Sequence, residues 1–403
     1  MTVDLSLKPE WNYAKYIPAI SSSYTNWGSK WKEKMEQVDK DGNLKFPNRH
    51  PKALSPNADE LYFLNDNNGA FHYNLGLYSA GHAEINDINL SKTNEKIVHS
   101  RDRNKTTLLA DSGGFQIATG ASGSSVSGFD WSNISSKEND ELRLKLLRWM
   151  EATADYSMML DVPTHAIGNP KNKIRNFQDC ISYTKYNADF FTKNRIPGAT
   201  KILNVLQGRN KEECDLWWDT FKDYEFEGWA IGGVSVRNME LLLRRIITMR
   251  DGNYLNENKK WMHVLGTSKL SSACILTEIQ RSIRKTVQKD FSVSFDSATP
   301  FVVAAKGMVF TKNIFEGNKK HPKFSYRTEK MLEDIACFKS EMPFPFESIP
   351  AKYLTIGDIC CRDPKVSGTK TTWDSYSYLL IMWHNLYRQI TAIQDAIRLY
   401  YIH

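Results

Sequence analysis

The sequence predicts an α/β protein built on a TIM-type (β/α)8 barrel, with an N-terminal extension and a C-terminal helical subdomain. Three observations carry that expectation. Short apolar runs alternate with amphipathic stretches over most of the chain, and strand, helix, strand in repetition calls for a parallel sheet with helical crossovers. Many of the apolar runs end on a polar residue or a glycine pair: Asp111, Asp161, Gln207, Gly232-Gly233 and Asp296. In a barrel the strand C-termini converge on one mouth, where the active site lies. Finally, no G-x-G-x-x-G follows the first strand, which puts a doubly wound open sheet second. A chain of 403 residues is long enough for a large barrel with additions.

The elements follow in order. Residues 1–58 are mixed and aromatic, with Trp11, Tyr13, Trp27 and Trp31, and read as an extension covering one side of the barrel. Within them, Lys30 to Lys40 alternates charges like a surface helix, and Pro47 to Pro51 is turn-rich. The barrel is expected over 59–310. Phe71–Ser79, Thr107–Ala110, Asp155–Leu160, Lys201–Leu206, Gly228–Ile231, Trp261–Leu265 and Phe291–Phe295 read as strands. Glu138–Ala152 sets leucines, Trp149 and Met150 among charges at helical spacing. Ile174–Asn194, Asn210–Phe221, Met239–Arg250 and Leu270–Val287 follow as crossover helices. The loop 121–128, A-S-G-S-S-V-S-G, suits either a lid or a plain surface linker. Residues 311–403 change character. Lys312 to Lys323 is basic and suits either phosphate contact or a solvated loop. Tyr376 to Tyr401 is apolar at helical spacing and fits docking on the barrel or a subunit contact.

Composition narrows the function classes. Charged residues are 25% and hydrophobic residues 41%, an ordinary globular balance rather than a disordered one. No run is long enough for a membrane span, and the start of the chain lacks a basic region followed by an apolar run. A cytoplasmic protein is expected. Six cysteines without regular spacing argue against a disulfide framework. The net charge of +7, with 48 aromatic residues, permits a polyanionic partner whose bases are stacked on rings.

Leu108 to Gln116, L-L-A-D-S-G-G-F-Q, is the densest stretch. Asp111 can move a proton, the glycines allow close backbone approach, Phe115 can stack and Gln116 can bond an edge. The same letters also fit a strand followed by a tight turn. Three carboxylates at one mouth suit displacement at a glycosidic carbon, which uses a nucleophile and an acid on the leaving group. Gln207 can bond a base edge, Asp161 can accept from a guanine-like N–H and amino pair, and the Gly232-Gly233 backbone can offer N–H groups.

These residues resemble the tRNA-guanine transglycosylases. The resemblance rests on D-S-G-G-F-Q at Asp111–Gln116, L-D-V-P-T at Leu160–Thr164 and L-Q-G at Leu206–Gly208. G-W-A-I-G-G-V-S-V at Gly228–Val236, V-L-G at Val264–Gly266 and F-D-S-A-T-P at Phe295–Pro300 complete it. It covers roughly residues 60–310 and implies a barrel that swaps a guanine in nucleic acid for a 7-deazaguanine. By position it implies Asp296 as the nucleophile that forms a covalent glycosyl-enzyme intermediate, and Asp111 as general acid/base. Asp161, Gln207, Gly232 and Gly233 would read the base, Phe115 would stack on it and Ser112 would order the pocket. No redox or nucleotide cofactor is implied. The target nucleotide would have to be splayed from its stack.

Departures point to a divergent branch. Phe301, Val302 and Ala305 stand in the segment where the family follows its nucleophile with arginines, which alters phosphate contacts. Pro163 replaces a position near the family's base pocket. The family's C-x-C-x-x-C zinc site with a distant histidine is reduced to Cys360-Cys361 and His384, short of a tetrahedral set. Zinc is therefore not expected, and buried thiols with a structural histidine are. The pattern is most similar to the phage and bacterial branch that places 7-deazaguanines, such as the 7-cyano form, in DNA. The expected partners are DNA, with tRNA as the alternative, and a free 7-deazaguanine base; an oligomer is compatible. A catalytically idle nucleic-acid-binding barrel and a sugar hydrolase are the readings from other classes.

Overall fold

The computed structural model describes residues 2–46, 50–121, 124–318, 321–331, 335–368 and 370–402. At its centre eight parallel strands curl into a nearly closed barrel. They are β1 (Lys15–Pro18), β2 (Leu75–Ser79), β3 (Thr107–Asp111) and β4 (Tyr156–Met158), then β5 (Lys201–Leu206), β6 (Gly228–Ile231), β7 (Trp261–Val264) and β8 (Ser292–Ser297). Strands β2 to β8 pair in chain order, and β1 pairs with β8, Ile17 opposite Asp296. The remaining seam, between β1 and β2, is drawn together by a parallel bridge from Ala19 to Leu77 and by the Ile20 N–H donating to Leu77 O at 2.8 Å.

That seam revises one boundary. Residues 15–18, expected in an extension that covers the barrel, are one of its staves. They hydrogen-bond to the strand that carries Asp296. This strand, K-Y-I-P, ends on a proline and lacks the polar residue or glycine pair that marks the other staves, so it did not read as one. The expected strand Phe71–Ser79 is also split: Phe71-His72 pairs with Val3-Asp4, and only Leu75–Ser79 enters the barrel. The charged stretch from Lys30 holds a helix only over Trp31–Met35. Residues 47–49 of the turn-rich segment lie outside the described residues.

Helices cover the outside. α1 (Ser22–Ser29) follows β1 and α2 (Ile88–Asn94) follows β2. α3 (Gly114–Thr119) and α4 (Lys137–Thr153) separate β3 from β4. α5 (Phe177–Asn194), α6 (Lys211–Phe221), α7 (Met239–Asp251) and α8 (Leu270–Thr286) are the later crossovers. Ser136, Asn176, Asn210 and Asn238 start α4 to α7, each side chain accepting from a backbone N–H in the first turn. Such caps satisfy donors that the helix itself leaves open and are worth about 1 kcal/mol each.

After β8 the chain forms α9 (Thr299–Ala304), then a long antiparallel hairpin of β9 (Met308–Asn318) and β10 (His321–Lys330). The basic Lys312–Lys323 stretch lies in this hairpin; residues 319 and 320 are outside the described residues. Phe315, Phe324 and Tyr326 pack against the core, whereas Lys312, Lys323 and Arg327 are exposed. The last helix, α10 (Ser375–Ile402), buries Leu379, Leu380, Trp383, Leu386 and Ile390 in the same apolar cluster as the barrel. No helix among the described residues is long and apolar enough to cross a membrane.

Candidate active site

Asp111 is the last residue of β3, and the register with β2 sets Ser79 opposite it. Ser79 Oγ donates to Asp111 Oδ2 at 2.6 Å, and the Gly113 N–H donates to the same oxygen at 3.2 Å. Burial raises the Asp111 pKa, the Ser79 bond opposes this, and the negative charge of Asp296 adds to it. The net shift is upward, so Asp111 holds a proton more readily than an ordinary aspartate. Gly113 sits at φ +86°, a backbone state that L side chains rarely adopt, and packs against Val126. Val126 is buried, so this part of the glycine-serine loop is docked on the motif; residues 122 and 123 lie outside the described residues.

Asp161 lies just beyond β4 and is nearly fully buried. Gln207, directly after β5, donates from Nε2 to Asp161 Oδ2 at 2.9 Å. Burial pushes the Asp161 carboxyl up to about 7, against the Gln207 bond and with the help of the Asp111 charge. A Cβ on Gly114 would stand 3.1 Å from Asp161 Oδ1, so the glycine pair of the motif lets the chain lie against this carboxylate. The second glycine pair braces Gln207: a Cβ on Gly232 would meet Gln207 Nε2 at 2.8 Å. Gly233, at φ +64°, runs so close to Gly208 O that a Cβ would stand 2.5 Å from it. The Gly232 N–H donates to Leu206 O at 2.8 Å. That donor, expected to face a base, is used in the structure itself, because Gly232 still continues the β5–β6 pairing.

Asp296 is on β8 and is buried. The Gly266 N–H donates to its Oδ1 at 2.7 Å, and His263 Nε2 lies 3.2 Å from the same oxygen. His263, on β7, is fully buried. Its Nδ1 is 2.8 Å from Ser294 Oγ, which also accepts from Trp261 Nε1 at 2.7 Å. Sequence reading missed His263. The signal was there: it is the one histidine of W-M-H-V, and in a parallel pair it falls beside Ser294, two residues before Asp296 and on the same face.

The remaining motif residues divide. Ser112 is buried, and its Oγ has no hydrogen-bond partner among the described residues. Phe115 is 63% exposed, with its ring centroid 6.0 Å from that of His165. An aromatic left in water at a rim suits stacking on a flat ligand. Gln116, expected to bond a ligand edge, is turned inward: it donates to His82 Nε2 at 3.2 Å and lies 3.5 Å from Ser79 Oγ. Its side chain fills the space left by Gly81. His384 Nε2 donates to Phe310 O at 2.9 Å, and its Nδ1 takes the Ser348 hydroxyl at 2.8 Å, so both ring nitrogens are engaged within the fold.

Fold and site together define a class: a β/α barrel whose C-terminal mouth holds three covered carboxylates, from the ends of β3, β4 and β8. Burial raises the proton affinity of Asp111 and of Asp161, with the Asp296 charge adding at the first and the Asp111 charge at the second. No known protein-family model matches the chain, and no curated protein matches it closely enough to count as a relative.

Proposed function

We propose that this protein exchanges guanine in DNA for a 7-deazaguanine, such as the 7-cyano form, by double displacement. The observation that supports it most is the set of Asp111, Asp161 and Asp296 at one barrel mouth, with burial raising the proton affinity of Asp111 and of Asp161. Asp296 attacks C1′ of the target nucleotide; the C1′–Oδ bond forms and the C1′–N9 bond breaks. The electron pair goes to the departing guanine, which takes a proton from Asp111. An incoming 7-deazaguanine gives its N9 proton back to Asp111 and attacks C1′, and Asp296 leaves as carboxylate. Asp161 and Gln207 read the base edge, Ser112 offers its unpartnered hydroxyl, and Phe115 stacks at the rim.

The choice of DNA over tRNA draws on the segment after the nucleophile. Phe301 is buried against Tyr24, ring centroids 5.5 Å apart, so this position presents no cation to a phosphate. An idle barrel has no need of a carboxylate primed to hold a proton beside one ready to attack. A sugar hydrolase leaves Gln207 and its glycine brace without a ligand edge to read.

The test is release of labelled guanine from double-stranded DNA, single-stranded DNA and tRNA in parallel, with Asp296→Ala as control. Label lost from DNA and not from tRNA, and only with Asp296 present, supports the proposal. Loss from tRNA alone transfers the chemistry to tRNA. No loss from any substrate, or loss with Asp296→Ala, removes the assignment.

A further inference from the structure

The column beneath Asp296 is not used by the mechanism above. It runs from Trp261 Nε1 to Ser294 Oγ, from Ser294 to His263 Nδ1, and from His263 Nε2 to Asp296 Oδ1. Proton inventory sets its direction. Indole N–H only donates, so Ser294 Oγ accepts from Trp261. The carboxylate Oδ1 of Asp296 only accepts, so Nε2 carries the ring proton that faces it, and Nδ1 is left to accept the hydroxyl proton of Ser294. In this tautomer every proton of the column has an acceptor. The Gly266 N–H donates to the same oxygen. Two donors therefore converge on Oδ1.

We infer that His263 is a positioning residue that assigns the two oxygens of Asp296 different work: Oδ1 is held, and Oδ2 is the atom that bonds C1′. The inference rests on the glycosyl-transfer reading. Holding Oδ1 fixes the rotation of the carboxylate, so Oδ2 meets the sugar in one orientation. It also supplies a donor to the carboxylate as negative charge returns when the covalent bond breaks. His263 is fully buried in the barrel interior and acts through Asp296.

The experiment compares wild type with His263→Phe, His263→Gln and Ser294→Ala, all first shown to unfold at similar temperatures. His263→Phe keeps bulk and removes the donor; His263→Gln keeps a donor able to reach Oδ1. The expected result is a fall in kcat on the order of 100-fold for His263→Phe, the usual effect of losing one preorganised donor. KM for the nucleic acid stays unchanged, and His263→Gln recovers most of the rate. Ser294→Ala falls between them. A second readout needs no turnover: the 15N spectrum of the ring, identified by its loss in His263→Gln, shows Nε2 protonated and Nδ1 bare. Wild-type kcat in a folded His263→Phe, or the opposite tautomer, overturns the inference. Failure of the functional reading shows elsewhere, as absence of guanine exchange in wild type, and removes the role with it.

Discussion

Asp161 concentrates the tension at the residue scale. A carboxyl held up to about 7 is charged only against the cost of burial, yet the proposed reading of a guanine-like edge requires it as an acceptor. The sign of the pH effect follows. The folded state keeps the proton to higher pH than the unfolded chain, so Asp161 subtracts stability as pH rises from about 4 to about 7, and the full cost stands above that. Asp161→Asn retains an oxygen for Gln207 and removes the charge. It is expected to raise the unfolding temperature at pH 8 by several degrees, on the order of 1–3 kcal/mol, with little gain at pH 4. Base exchange is expected to be lost in the same variant. Equal thermal stability at pH 8 would contradict this account. At the companion site, Asp111→Asn is expected to slow adduct formation by 10²–10⁴-fold, roughly the contribution of a general acid, as single-turnover trapping would show.

How much of the site was legible also belongs to this scale. Asp111, Asp161, Gln207 and Asp296 could be read because each ends an apolar run, a position that the barrel gives a fixed meaning. Ser79 could not, because what matters about it is the residue opposite in a neighbouring strand, and the lone histidine of W-M-H-V gained its meaning only once register set it beside Ser294. Register is a tertiary fact. Gln116 and Gly232 were assigned to the ligand because their chemistry suits it, whereas packing against Gly81 and strand pairing had already engaged them.

Elements carry a different lesson, clearest at the C-terminal end. The crossover helices were read within a few residues because periodicity and caps mark them locally. The β9–β10 hairpin was not, because its strands alternate only when Phe315, Phe324 and Tyr326 are known to face inward. Its base is tied to α10 by His384 and by Asn385, whose Oδ1 accepts from the Phe310 N–H at 2.9 Å and whose Nδ2 donates to Met308 O at 3.0 Å. Burial lowers the His384 pKa to about 4. The unfolded chain takes up that proton below about 6.5 and the folded protein only near 4, so stability is lost as pH falls through this window. In urea unfolding, wild type is expected to lose on the order of 3 kcal/mol from this residue between pH 7 and 4. His384→Phe starts lower at pH 7, since Phe310 O loses its donor, and falls less steeply with acid. Parallel slopes would exclude His384 as the source.

The whole molecule depends on one of its shortest strands, β1. Without β1 the Asp296 strand would become an edge, with unpaired groups along one side of the barrel. Removing residues 1–18 is therefore expected to abolish cooperative folding rather than trim a cover. Circular dichroism and a thermal scan of the shortened chain would decide it. A cooperative transition near that of the full chain would mean that β1 is dispensable. A chain whose barrel lay wholly within 59–310 would give that result.

The pairing of β1 with β8 also has a consequence in time. A ribosome releases Lys15–Pro18 long before Ser292–Ser297, with the other six staves between them. Until then the opening stave has no partner on that side, and the mouth that brings Asp296 to Asp111 does not exist. Contacts this distant in sequence make closure a late and slow event, with a sticky strand left waiting. The mouth would then assemble in a single step, when the last stave meets the first.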